Sequence, residues 1–172
     1  MKFFLLLVVS VTVLFAKGGI SLEEIFKSTF SSNVTVGQKT ITLSKVQMKA
    51  LQKKAKAKVD SNIIRYYVVK DKKALVGYGV LVVQRIRTKK AAILYLIDKD
   101  EKIKNIEIIA FYEPSEYKPY RTWKNSFKEK SLKDDLRAGH GIPTISGATL
   151  SARAISDASR IALTIVAQEK RK

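Results

Sequence analysis

The chain has 172 residues, 46% of them hydrophobic, which suffices for one domain with a buried core and is too short for two well-buried ones. It has no cysteine, which excludes disulfides, a thiol nucleophile, cysteine-ligated metals or clusters and a lipoprotein anchor, and a single histidine does not make the ligand set of a catalytic zinc site. With 33 Lys+Arg against 15 Asp+Glu the formal charge is +18, a balance that suits a solvated basic surface, a face docking on anionic lipid or an acidic redox partner, or a nucleic-acid site. Because the cations are scattered over almost every segment, nucleic acid is not expected.

Met1-Lys2 is followed by an apolar run from Phe3 to Ala16, broken only by Ser10 and Thr12, and then by polar Lys17-Gly18-Gly19. This is the anatomy of a signal peptide over residues 1–18, with Ala16 or Gly18 before the cut. The run is shorter than the ~20 residues that span a bilayer, and a retained short anchor is the other reading. Either one places the mature domain outside the cytoplasm, in the periplasm or on the outer face of the membrane. Residues 19–60 read as an N-terminal helical region that packs on the domain. Ser21 and Glu24 match a capping box before Ile25 and Phe26, and Thr40–Leu43 is a brief strand. Ser44 and Gln47 then open a second helix with Val46, Met48, Leu51, Ala55 and Val59 on one face and Lys49, Lys53, Lys54, Lys56 and Lys58 beside it. Its weak apolar face suits packing on a sheet better than lying on a membrane.

Residues 61–168 are strand-rich, then helical. Ile63–Lys70 and Ala74–Arg87 form a hairpin through Asp71-Lys72-Lys73, and Ala91–Asp98 and Ile103–Tyr112 form another through Lys99–Lys102. Alternation of Ile106, Ile108 and Ala110 with Asn105 and Glu107 marks a half-buried strand near the edge or face of an antiparallel sheet. Gly77 and Gly79 flank Tyr78, where either a flat ligand ring or a packed helix approaches closely. Past Glu113-Pro114, Tyr120–Phe127 is a helix or turn with Trp123 and Phe127 on one face, suited to a core or to a stacked ring. Asp134 and Asp135, among Lys130, Lys133 and Arg137, suit helix ion pairing better than a metal, and His140 suits an exposed loop.

The stretch that organises the chain is Ser146-Gly147-Ala148-Thr149. Behind it Ala148, Ala152, Ile155, Ala162 and Val166 fall at the period of an amphipathic helix, so the tetrapeptide sits at a helix N-terminus, with Ser146 as its expected N-cap. Free amides and the helix dipole there hold an anion, especially a phosphate. Gly147 and Ala148 keep the approach open, and Thr149 turns its hydroxyl toward it. Gln168–Lys172 ends the chain with positive charge, as the dipole prefers, and residues 169–172 form a basic tail.

Together these residues resemble the FMN-binding domain of the NqrC and RnfG subunits of membrane redox complexes and of related small exported flavoproteins. The resemblance takes in Ser146–Thr149, the following Leu-Ser-Ala-Arg-Ala-Ile, the strand Ile103–Tyr112 leading into Glu113-Pro114, and Tyr117, Arg121, Trp123 and Phe127. It implies FMN esterified through its phosphate to Thr149 by a flavin transferase, with Ser146, Gly147, Ala148, Leu150 and Ser151 around the phosphate and Glu113, Arg121 and Trp123 at the ring. The chain departs from the family at Pro143, three residues before Ser146, where an aspartate usually belongs to the pattern the transferase reads.

The expected fold is α+β, a curved antiparallel sheet of four or more strands with helices on one side and the C-terminal helix presenting Thr149 at the rim. The expected function is an exported, membrane-associated electron carrier or redox-complex component rather than a stand-alone enzyme, with no catalytic residue to name. Its partners would be a flavin transferase, a membrane or extracytoplasmic redox partner and an anionic membrane surface. The competing reading is an exported basic module that holds anionic surface or binds FMN without a covalent bond.

Overall fold

Five strands follow one another as an antiparallel meander whose spatial order equals its chain order: β1 (Val34–Thr42), β2 (Ile63–Asp71), β3 (Ala74–Arg85), β4 (Lys90–Asp98) and β5 (Ile103–Phe111). They belong to a computed structural model that describes residues 21–171, so the apolar run read as a signal peptide or anchor lies outside the described residues. The helices are α1 (Leu22–Thr29), α2 (Lys45–Ala55), the short α3 (Arg121–Lys124) and α4 (Thr149–Glu169). The α+β class, the antiparallel sheet and the C-terminal helix behind Ser146–Ala148 are as expected.

Local chemistry sets the joints. Lys72 and Lys73 both take positive φ (45° and 74°), the requirement of a two-residue hairpin turn that follows the strands' twist. The β4–β5 turn is held by Asp98, whose Oδ1 accepts the amides of Asp100 and Lys102 at 2.9 Å each. Both expected capping boxes form, Ser21 with Glu24 and Ser44 with Gln47. β1 starts at Val34 rather than Thr40. Its middle, Gly37–Lys39, is an exposed sheet edge kept extended by pairing with Val68–Tyr66 of β2, so no apolar alternation announces it.

The sheet is covered on both faces, which corrects the expectation of helices on one side. Tyr66, Val80, Ile93 and Tyr95 pack with Leu51 of α2 and Ile155, Ala162 and Val166 of α4, whereas Tyr67, Leu81, Leu94 and Leu96 pack with Ile25 and Phe26 of α1. Facing both layers, Ile93–Ile97 of β4 is a continuous buried run. The paired glycines serve α1: a Cβ on Gly79 would stand 2.6 Å from the Phe26 ring, and one on Gly77 would collide with Phe30. The visitor to this strand is a pair of phenylalanines, not a ligand ring.

α4 buries Ala152, Ile155, Ala162 and Val166 completely, as the periodicity predicts. Tyr95 Oη donates to the carbonyl of Ile155 at 2.7 Å, latching β4 to the helix, and full burial of that phenol pushes its pKa up and keeps it a donor. α2 is shorter than its pattern suggests. It ends at Ala55 with Lys56 in the left-handed region (φ 49°), and Val46 is 77% exposed rather than part of the buried stripe. Arg160 of α4 closes that end, its Nε and one Nη donating to the carbonyls of Ala55 and Lys56 at 3.0 Å each.

Residues 132–136 are a loop, not a helix. Asp134 accepts the Ser131 amide at 2.8 Å, a local bond that competes with helix, while Asp135 pairs with Arg137 at 2.7 Å as expected of a charge partner. Among the described residues no His, Asp and Glu cluster is placed to hold a metal.

Candidate functional site

The N-terminus of α4 is open. Ala148, not Ser146, is its N-cap, with φ −129° and no side-chain cap, and the expectation for Ser146 is thereby corrected. The physical reason lies in the turn ahead of the helix. The Ala148 amide bonds the carbonyl of Ile145 at 3.0 Å and Gly147 takes φ 76°, which carries the Ser146 side chain outward to solvent. The amides of Thr149, Leu150 and Ser151 therefore donate to nothing among the described residues. Thr149 is half-buried on the first turn, its hydroxyl making only a long 3.4 Å bond to the Ile145 carbonyl. Ser151 is 1% exposed, and its Oγ has no hydrogen-bond partner among the described residues. A Cβ added at Gly147 would meet nothing within 4 Å, so the approach is clear on that side.

The opposite wall comes from the β3–β4 turn and the segment after β5. Pairing of Ala91 with Phe111, continued by the Tyr112 amide on the Lys90 carbonyl at 3.3 Å, brings the residue after β5 beside the first residue of β4. There Glu113 Oε1 accepts the amides of Lys89, Thr88 and Arg87 at 2.7, 2.6 and 3.1 Å. These bonds, that from Lys89 foremost, hold the Glu113 carboxyl below its ordinary range, although burial works in the other direction. The clasp fixes a turn that has no glycine, and with it Arg87, whose guanidinium carbon stands 5.9 Å from the centre of the Tyr117 ring.

Between the walls lies a cavity of about 220 Å³ lined by Ile86, Arg87, Glu113, Tyr117 and the run Gly147–Ser151. It adjoins a shallower depression of about 580 Å³ whose wall includes Arg87, Lys89, Tyr112, Glu113 and Tyr117, three of them shared. Sites for drug-sized ligands run roughly 300–1,000 Å³. The inner cavity alone is the size for one end of such a ligand, and the outer depression leaves room for the rest. Its floor offers donors to an anion, and its sides offer aromatic and aliphatic surface.

Residues 89–164 match the family model of the FMN-binding domain. They are an FMN-binding domain, and the chain's cofactor is FMN. No curated protein matches the chain. The matched part of the FMN-binding domain runs from the β3–β4 turn through Thr164 of α4 and so includes Glu113, Tyr117 and all of Gly147–Ser151, while Ile86 and Arg87 precede it. The residues present fit the cofactor's phosphate, since the open helix end and the unpartnered Ser151 hydroxyl are donors without acceptors.

Of the residues that sequence reasoning assigned to this site, Thr149, Gly147, Ala148, Leu150, Ser151 and Glu113 come together around the cavity. Ser146, Arg121 and Trp123 do not line it. Arg121 is exposed at the start of α3. Trp123 is 4% exposed, sits edge-on to Phe127 at 5.2 Å and donates Nε1 to the Pro143 carbonyl at 2.9 Å, fastening the loop that leads to Ser146. His140 is exposed, as expected. Arg87 and Ile86 were missed because they read as the end of a strand. β3 stops at Arg85, and the turn that begins there carries no Gly, Asn or Pro to mark it. The signal available was the hairpin register, which sets the β3–β4 turn beside Glu113.

Proposed function

We propose that this flavoprotein is an extracytoplasmic electron carrier with FMN joined by a phosphoester to Thr149. The observation that carries the reading is the position of the Thr149 hydroxyl, half-buried on the first turn of α4 and on the wall of the cavity beside three free amides. When bound, FMN supplies the chemistry of taking up and giving up electrons. The chain's own residues hold the phosphate, bury one end of the cofactor and leave the outer depression open to a partner. In the attachment step Thr149 Oγ would bond to the flavin phosphorus of an activated flavin dinucleotide as its pyrophosphate bond breaks, with a flavin transferase releasing the nucleotide half and taking the hydroxyl proton.

Export is supported by the apolar run before Lys17, and the strongly basic composition suits an acidic redox partner or an anionic membrane surface. Loading takes place with Pro143 in an exposed loop where the family's aspartate usually stands. The test is co-expression with a flavin transferase, then denaturation and mass measurement. Flavin fluorescence and one ester-linked FMN mass stay with the wild-type polypeptide and vanish in Thr149→Ala. Flavin that is wholly released on denaturation would replace this reading with the non-covalent one.

A further inference from the structure

Two side chains on the cavity wall have no polar partner among the described residues. Ser151 Oγ is buried and unpartnered, although a helical serine ordinarily turns back to the carbonyl four residues before it. Arg87 is exposed and forms no ion pair among the described residues, yet its backbone is clasped by Glu113 and its guanidinium lies over Tyr117. Both residues line the same cavity as Thr149 and Leu150, whose amides, with that of Ser151, are free among the described residues. Each of these groups offers a proton, and the one carboxylate in the wall already has an oxygen occupied by three amides. A cluster of donors at a helix N-terminus, with a guanidinium opposite, matches a phosphomonoester dianion. Ile86 and Arg87 lie before the matched family segment.

We propose that Arg87 and Ser151 complete, with the first turn of α4, a phosphomonoester site that holds free FMN by its phosphate without any bond to Thr149. This rests on the cavity being the FMN site and adds that docking is independent of covalent loading. It also leaves Arg87 in place to face the phosphate once the ester exists.

The test titrates the full chain, made without a transferase, with FMN and with riboflavin, following flavin fluorescence. FMN binds at least about tenfold tighter than riboflavin, and inorganic phosphate competes with FMN alone. Arg87→Gln and Ser151→Ala each weaken FMN about tenfold or more and leave riboflavin unchanged. Arg153→Gln, which removes an exposed cation of the same helix that does not line the cavity, changes neither. Ser151→Ala leaves the apo melting temperature the same or higher, because it deletes an unsatisfied buried hydroxyl. Equal affinity for FMN and riboflavin overturns the proposal, as does an equal effect of Arg153→Gln, a loss of apo stability in Ser151→Ala, or no FMN binding at all. If free FMN fails to bind while transferase-loaded protein carries the ester, this proposal falls and the assignment of Thr149 stands. If neither occurs, both fall.

Discussion

A single oxygen of Glu113 accepts the amide of Lys89 at 2.7 Å and, with it, the amides of Thr88 and Arg87. The carboxylate thus acts as the core of a turn that has no glycine to shape it. Its position follows from the β4–β5 register, and its effect is to hold the backbone of Arg87 in the cavity wall.

Replacing Glu113 with Gln keeps the volume and removes the charge that draws three donors together. The turn loosens, and the expected result is a lower melting temperature and weaker FMN binding through a mobile Arg87. The pH dependence has a definite sign. In the fold this carboxyl binds its proton less readily than at the ordinary value of 4.5, so the unfolded chain takes up more protons as pH falls. Its contribution is present above that ordinary value and is lost as pH drops through the lower folded value. Melting curves between neutral and acid pH will show the Glu113→Gln protein losing less of its remaining stability on acidification than wild type. Parallel curves would show that Glu113 does not hold the turn by its charge.

Gly79 gives way to the Phe26 ring, and a Cβ at 2.6 Å leaves no room for it. Gly79→Ala should cost about 1–3 kcal/mol, the range for overpacking a filled core. Phe26→Leu costs stability by itself but recovers part of that loss in the double variant. Urea unfolding of the four proteins measures the coupling, and strict additivity would show that the two residues do not compete for the same space.

Trp123 is the chain's one tryptophan, and it is buried. Its fluorescence should be blue-shifted in the native protein and move to the red in one step with unfolding. Trp123→Phe keeps much of the packing on Phe127 and removes the bond to the Pro143 carbonyl, for an expected loss of about 1 kcal/mol or somewhat more. Amide exchange in residues 143–148 should speed up in that variant; unchanged exchange would mean that the indole bond does not fasten the loop.

Arg160 joins two helices through the carbonyls at the end of α2. Arg160→Ala should destabilise by about 2–3 kcal/mol, because backbone carbonyls at a helix end lose charged donors. Arg160→Lys should recover less than half of that, since an ammonium cannot place two donors in the plane of a guanidinium. Chemical denaturation of both variants checks the order, and full recovery by lysine would reduce the role to simple charge.

Whatever depends on neighbours in the chain was legible early. The capping boxes at Ser21 and Ser44, the hairpin turn at Lys72-Lys73, the half-buried character of β5 and the buried stripe of α4 all follow from side-chain spacing and local hydrogen bonding. So did the placement of Thr149 on the first turn of a helix. Trp123 was ambiguous, because an indole in a charged segment suits a ligand ring or a core equally, and only its contact with Phe127 and Pro143 separates the two.

The amino-acid sequence by itself determined that the last helix opens within the Ser146–Thr149 stretch and that its first turn carries Thr149, because helix periodicity and end chemistry act over a few residues. Only the tertiary structure decided that Ala148 rather than Ser146 is the cap, that α1 covers the second face of the sheet through Gly77 and Gly79, and that Arg87, Glu113 and Tyr117 stand across from Thr149. Those relations join segments tens of residues apart. They are set by strand register and by which face of the sheet each helix buries, and neither quantity is written in any one stretch of the chain.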